Sequence, residues 1–162
     1  MRENIQIGVY HGCSNCSTHK CCAHSGGFVL APYATYPWIL PEEAAIIAKI
    51  VGHSDFYLPP LHGERFGRLI RDHTDNCPFL LPEGCGIFDH RPFDCRMYPF
   101  DILHKNGEYY LIRYTNLCDT NLQFDDNIDQ IIEMARPYYK EYSLDEEQLL
   151  TTHLKIRLFP EQ

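Results

Sequence analysis

The distribution of apolar residues predicts a first helix shortly after residue 40. Pro41 opens it, Glu42 and Glu43 stand in its first turn, the apolar run 44–51 forms its body, and Gly52 follows. Proline and acidic residues favour the start of a helix, and glycine favours its end. Because the body is apolar on nearly every side, the pattern also predicts that this helix is buried.

Residues 61–72 predict a second, amphipathic helix. Phe66, Leu69 and Ile70 recur at intervals of three and four residues, which is typical of one apolar helix face. Three arginines are expected on the solvent side of this helix: Arg65, Arg68 and Arg71. The apolar run 28–30 predicts a strand, whereas segment 77–100 is rich in proline and glycine and is expected to hold little regular structure.

The pattern changes to that of a β-hairpin after residue 98. Segments 98–104 and 108–114 are rich in Tyr, Leu and Ile, and Asn106-Gly107 lies between them. Asn-Gly between two apolar segments is the strongest short signal for a hairpin turn. We therefore predict two antiparallel strands joined by a tight turn.

Helical spacing of apolar residues returns in 125–142, after Asp125 and Asp126. Pro137 is expected to kink or end that helix, because proline has no amide hydrogen to donate in a helix interior. A further short helix is predicted within 144–154. Together the elements predict the α+β class: a small helical domain with a β-hairpin.

Length and charge narrow the class of protein. The 162 residues favour a single domain, with a cysteine-rich region at about 10–120 and a helical C-terminal segment at about 121–162. Fourteen Lys and Arg against 22 Asp and Glu give a formal charge of -8, which argues against nucleic acid as a partner. The sequence shows neither a membrane-spanning apolar run nor the apolar core of a signal peptide. We expect a cytoplasmic protein that binds no membrane.

Eight cysteines carry the candidate chemistry: Cys13, Cys16, Cys21, Cys22, Cys77, Cys85, Cys95 and Cys118. In a reducing cytosol disulfides are rare, and clustered cysteines more often bind metal. A chain of this length can also fold on apolar packing without covalent cross-links. The cysteines are therefore predicted to be metal ligands. Four disulfides in an exported protein are the alternative.

Cys13 and Cys16 form a C-x2-C motif, whose short gap allows both sulfurs to lie about 2.3 Å from one ion. Cys21 and Cys22 follow, and neighbouring cysteines rarely complete one tetrahedron together. One of the two is therefore expected to serve this site, while the other serves a second site or stays a spare or redox-active thiol.

The other four cysteines have irregular spacings, so only the tertiary fold can bring them together. Eight cysteines agree with two four-thiolate sites, or with one site and four buried cysteines. Zinc and iron–sulfur clusters both accept four thiolates, and spacing does not choose between them. Glycine or proline near a cysteine shapes its loop, and on this basis four cysteines rank first as ligands: Cys13, Cys16, Cys85 and Cys95.

Segments 77–80 (CPFL) and 85–100 (CGIFDHRPFDCRMYPF) resemble the signature of the YkgJ-like CxxCxxCC family of zinc- or iron-chelating domains. The four upstream cysteines resemble the N-terminal motif of that family, and residues 41–44 resemble the helix that follows it. The cysteine pair comes after a four-residue loop here and a two-residue loop in the family motif. The likeness covers about residues 10–120 and implies metal chelation by a loop-rich cysteine cluster that the metal ties together.

The same resemblance extends to flagellin lysine N-methylases, which carry a similar cysteine module. It therefore implies an alternative function, an iron–sulfur or metal-dependent enzyme of redox or methyl-transfer type. A third hypothesis is an adaptor whose metal shapes a surface for an unidentified protein partner.

Arg91 and Arg96 flank Cys95 and are predicted to support the metal site without binding the metal. Four thiolates around a divalent zinc leave a net charge of about -2, which nearby guanidinium groups can offset while they orient the ligands. In the alternative interpretation, Arg96 pairs at the surface with Asp94 or Asp101, where an ion pair contributes little.

Overall fold

The computed structural model describes residues 37–70, 76–114, 128–149 and 153–159, and these contain both helices and strands. The predicted α+β class is confirmed. The strand predicted at 28–30 lies outside the described residues. Within the described part of the chain, no helix is long and apolar enough to cross a membrane.

The described residues divide into two compact units. The first comprises 37–70 and 76–96, and the second comprises 97–114, 128–149 and 153–159. The single domain expected from chain length stays a prediction.

Helix α1 (Pro41–Val51) confirms the first predicted helix and its end signal. Gly52 adopts a left-handed conformation, with φ of 83°, and donates its amide hydrogen to the carbonyl of Ala48. The prediction that this helix is buried holds for the face of Ala44 and Ile47 and is wrong for another face, because Ile46 and Ile50 are each 51% exposed. Spaced four residues apart, these two side chains share a face other than the one that buries Ile47.

The first unit contains a three-stranded antiparallel sheet in the order β1-β3-β2, formed by β1 (Trp38–Ile39), β2 (Tyr57–Leu58) and β3 (Gly67–Leu69). The helix predicted at 61–72 is therefore wrong for its described part, 61–70. Strand pairing on both sides of β3 satisfies the backbone that a helix would have satisfied internally: Leu69 N–H donates to Pro37, and Ile70 N–H to Phe56.

Segment 77–100 contains only short elements up to the start of the next strand. They are β4 (Leu80–Leu81), β5 (Gly84–Cys85), a 3₁₀ turn (Phe88–His90) and α2 (Phe93–Met97). Two residues of this segment, Phe79 and Ile87, belong to the apolar core of the first unit. The other members of that core are Ile39, Ala44, Ile47, Phe56 and Leu69.

The second unit is built on a four-stranded sheet, in the order β8 (Leu144–Asp145), β6 (Phe100–Lys105), β7 (Glu108–Tyr114) and β9 (His153–Phe159). The predicted hairpin is confirmed as β6 (Phe100–Lys105) and β7 (Glu108–Tyr114). Asn106 and Gly107 both have positive φ, 54° and 79°, as the type I′ turn requires. Strand β8 (Leu144–Asp145) runs parallel to β6, and β9 (His153–Phe159) runs antiparallel to β7.

The helix predicted at 125–142 appears, in its described part, as α3 (Ile128–Ala135) and α4 (Tyr139–Tyr142). The break at Pro137 between them is the predicted one. The short helix predicted at 144–154 is wrong: strand β8, a 3₁₀ turn (Glu146–Gln148) and the start of β9 occupy its described residues. Pairing of β8 and β9 with the central hairpin overrides the local helical preference.

Candidate metal centre

Cys77 and Cys85 belong to one hydrogen-bonded hairpin in the first unit. Cys77 is followed by Pro78, and the carbonyl of Cys77 accepts the amide hydrogen of Leu80 at 3.0 Å, which closes a turn. Leu80 then pairs directly with Cys85 across β4 and β5. The cysteines thus lie on a shared local scaffold although seven residues separate them.

The hairpin rests on the apolar core of the first unit. Both cysteines are partly buried and pack against that core, whose nearest members in sequence are Phe79 and Ile87. A second bond from Gly86 N–H to the carbonyl of Phe79, at 2.8 Å, continues the pairing past Cys85. Phe79 and Ile87 are buried and hold the hairpin on the core, whereas Cys77 and Cys85 are only partly buried.

Cys95 lies at the centre of helix α2 and is also partly buried. The helix is only five residues long, and so short a helix is not stable by itself in water. Phe93, at its first position, is 1% exposed and contacts Phe66 with ring centroids 5.6 Å apart. The position of Cys95 therefore depends on what fastens this helix to the rest of the unit.

Glu43, in the first turn of α1, fastens helix α2 at two points. Its Oε2 accepts the amide hydrogens of Leu40 at 3.0 Å and of Phe93 at 3.1 Å. Its Oε1 accepts from Nη2 of Arg96 at 2.5 Å, in an ion pair. The Glu43 side chain is 13% exposed, so this carboxylate is shielded more than a surface acid. One carboxylate thus binds residues on both sides of Cys95.

Asp94 provides a third attachment. Its Oδ2 accepts the amide hydrogen of Trp38 at 3.0 Å, which joins α2 to strand β1. The Trp38 ring in turn contacts Phe66 at 5.5 Å and carries the guanidinium of Arg68 over its face at 4.5 Å. Arg68, expected on a solvated helix face, instead stacks on an aromatic ring.

The two arginines predicted to support the metal site have described partners of other kinds. Arg91 is 7% exposed, donates from Nε to the carbonyl of Phe88 at 2.9 Å, and stacks on the Phe88 ring at 3.9 Å. Arg96 pairs with Glu43, and its buried Nε has no acceptor among the described residues. Their contact with thiolates stays a prediction, and the surface pair of Arg96 with Asp94 or Asp101 is not the one observed.

Tyr57, beside this core, has a displaced pKa. Burial raises the pKa of its hydroxyl, and the negative charge of Glu42 raises it further. The hydroxyl oxygen is buried and has no hydrogen-bond partner among the described residues. Tyr57 packs against the same core as Cys77 and Cys85.

Five of the predicted ligands lie outside the described residues: Cys13, Cys16, Cys21, Cys22 and Cys118. Among residues 37–70, 76–114, 128–149 and 153–159, no group of three or more His, Cys, Asp or Glu side chains is arranged to hold a metal ion. The described cysteines Cys77, Cys85 and Cys95 therefore do not form a three-ligand site by themselves.

Sequence reasoning missed the part played by Glu43. It assigned this residue to the start of α1 and to the family-like segment 41–44, which is where the residue lies, but not to the cysteine helix 50 residues away. The only sequence signal for this contact is that acidic residues stand at the start of α1 and a basic residue, Arg96, follows Cys95, so that an ion pair between the two segments is chemically allowed. No local pattern connects the two segments.

The first unit is an α+β structure that carries three partly buried cysteines on short elements. Cysteine sulfur is a soft metal donor, so the chain is of the class of cysteine-rich proteins that could bind a metal. The family model CxxCxxCC, described as "Putative zinc- or iron-chelating domain", matches residues 12–119. The match covers more than half of the chain, and the protein belongs to this family of zinc- or iron-chelating domains. No curated protein and no solved structure matches the chain.

Proposed function

We propose that this protein binds zinc or an iron–sulfur cluster through a site of cysteine thiolates. The observation that carries the proposal is the extent of the family match: residues 12–119 contain all eight cysteines of the chain. Thiolate sulfur is a soft donor, and it suits both zinc and iron–sulfur clusters.

The described cysteines suit such a site in their chemistry. Cys77, Cys85 and Cys95 are partly buried, and all three belong to the first compact unit. Because they do not form a three-ligand group alone, we infer that a complete site also takes cysteines from residues 13–22. A bound metal would then tie distant segments of the chain together.

The buried Nε of Arg96 is further support for an anionic group near Cys95. This donor has no acceptor among the described residues, and a buried donor without a partner is costly. A metal-bound thiolate is an acceptor of the required charge. The requirement for reduced thiols also favours a reducing compartment such as the cytoplasm.

Anaerobic purification followed by elemental analysis and absorption spectroscopy tests this function. Bound iron with broad absorption near about 400 nm is expected for an iron–sulfur cluster, and a colourless protein with about one or two zinc ions per chain is expected for zinc. A colourless, metal-free protein that takes up neither metal when it is supplied would overturn the proposal. The enzymatic and adaptor alternatives stay predictions.

A further inference from the structure

We propose that Glu43 is a positioning residue of the metal site, which fixes the direction of Cys95 and so sets metal affinity. This inference rests on the proposed function and adds a residue outside all the cysteine motifs. Glu43 stands in the first turn of α1, whereas Cys95 lies on α2, 52 positions later in the chain. Their connection exists only in the folded unit.

Hydrogen bonding of both carboxylate oxygens explains why Glu43 controls the orientation of α2. Oε2 accepts from the amide of Phe93, one of the first amides of the helix, which have no partner within it. Oε1 accepts from Arg96, three residues further on. Two attachments nearly one turn apart restrict rotation of the helix about its axis, and Cys95 lies between them.

Charge and burial make this carboxylate hard to replace. A carboxylate accepts at both oxygens, whereas the amide of glutamine accepts at one end and donates at the other. In Glu43→Gln, donors would therefore face donors either at Phe93 and Leu40 or at Arg96. The Glu43 side chain is 13% exposed, so water replaces a lost partner only poorly.

The neighbouring acid supplies a matched control. Glu42 lies in the same helical turn with the same charge, but its residue is exposed. Glu42→Gln removes one negative charge from the same place without touching α2. Any difference between the two variants reports the contacts of Glu43 and not the change in net charge.

Metal affinity is measured first, by competition of the full-length protein against a chromogenic chelator with zinc and with cobalt(II). Glu43→Gln is expected to weaken affinity about 10–100-fold, as loss of a group that orients a ligand usually does. It should also change the cobalt–thiolate absorption spectrum, which a purely structural loss of stability would not change in the folded fraction. Glu42→Gln should match the parent in both.

Alkylation of the metal-free protein gives a second measurement that needs no bound metal. The rate of iodoacetamide modification is followed at each cysteine by peptide mass spectrometry. Glu43→Gln should change the rate at Cys95 several-fold and leave those at Cys77 and Cys85 unaltered. An equal change at all three would mean general loosening of the unit and would overturn the positioning role.

Arg96→Gln and the double variant complete the test. Because Arg96 is one of the two attachments of Glu43 to α2, the losses of metal affinity in the two single variants should overlap, and the double variant should lose less than their sum. Fully additive losses would show that no part of the effect of Arg96 passes through Glu43, and would count against the inference. If the parent binds metal and Glu43→Gln binds it with the same affinity, the inference is overturned and the proposed function is not. A parent that binds no metal overturns the proposed function and the inference with it.

Discussion

At the scale of single residues, the first unit places its polar side chains where they fasten a cysteine-bearing element. Glu43 and Asp94 each accept a backbone amide from a different segment, and Arg96 completes the ion pair. Exposed ion pairs contribute little to stability. The shielded position of Glu43 and its three partners make this pair more than a surface contact.

Replacement of Cys95 by serine is expected to abolish metal retention. Loss of one of four thiolate ligands removes much of the chelate, and α2 offers no second cysteine nearby. Cys21→Ser should retain part of the metal, because Cys22 adjoins it in sequence. Elemental analysis of both purified variants beside the parent is the measurement. Equal metal content in Cys95→Ser and the parent would refute the ligand assignment.

Tyr57→Phe is expected to make stability less sensitive to alkaline pH. Burial, and then the charge of Glu42, raise the pKa of Tyr57 above its ordinary value of 10.0, so its neutral form is favoured in the folded state. The stability that this provides is fully present below pH 10 and is lost as pH rises through the higher folded pKa. Phenylalanine cannot ionise, and it also removes a buried hydroxyl that lacks a described partner.

Urea unfolding of the parent and Tyr57→Phe at several pH values between about 8 and 11 tests this expectation. The variant should be at least as stable as the parent at pH 8, and its advantage should grow above pH 10. Glu42→Gln should reduce the pH dependence partly, because it removes only the smaller cause of the pKa shift. Parallel curves for all three proteins would contradict the prediction.

At the scale of elements, the first unit uses pieces too short to be stable alone. Strands β1, β2, β4 and β5 have two residues each, β3 has three, and helix α2 has five. Such elements persist only through tertiary contacts, which here are the apolar core, the aromatic rings and the bonds to Glu43 and Asp94. Local sequence preference is correspondingly weak evidence in this region.

Gly67→Ala is expected to destabilise the protein by about 1–3 kcal/mol, through overpacking between β2 and β3. A Cβ atom at Gly67 would lie 2.3 Å from the carbonyl oxygen of Leu58 and 2.5 Å from Cε2 of Tyr57. The backbone oxygen cannot move without breaking strand pairing. Gly86→Ala should cost less, because a Cβ atom there would lie no nearer than 3.1 Å to the flexible side chain of Leu81 and 3.2 Å to the carbonyl oxygen of Phe79.

Chemical unfolding of both glycine variants in the metal-free state provides the comparison. Working without metal separates packing at β3 from any effect on the cysteines next to Gly86. If Gly86→Ala is the more destabilising of the two, the prediction of overpacking at Gly67 is wrong.

At the scale of the whole molecule, metal binding is expected to contribute to folding stability. Structural zinc contributes about 10–16 kcal/mol of apparent binding free energy in small peptides, comparable with the roughly 5–15 kcal/mol stability of a whole domain. Removal of metal by a chelator should therefore lower the melting temperature by about 10 °C or more. Cys95→Ser, already without metal, should show no further decrease. An unchanged melting temperature of the parent in the presence of chelator would refute the prediction that metal stabilises the fold.

Much of the regular structure could be predicted because its signals are local. The limits of α1, the Asn106-Gly107 turn and the break at Pro137 follow from backbone chemistry that a few neighbouring residues specify. The strand β3 could not, since Phe66, Leu69 and Ile70 suit a helix equally well, and only the pairing partners β1 and β2 favour the extended backbone.

The α+β class, the family and cysteine as the candidate metal donor could be predicted without coordinates, because cysteine motifs and turn residues occupy neighbouring positions in the chain. The hairpin shared by Cys77 and Cys85, and the attachment of the Cys95 helix to Glu43 and Asp94, became visible only in the folded chain. The bonds of Glu43 and Asp94 join segments 50 and 56 positions apart. Their free energy depends on burial and geometry in the folded unit, which no local pattern encodes.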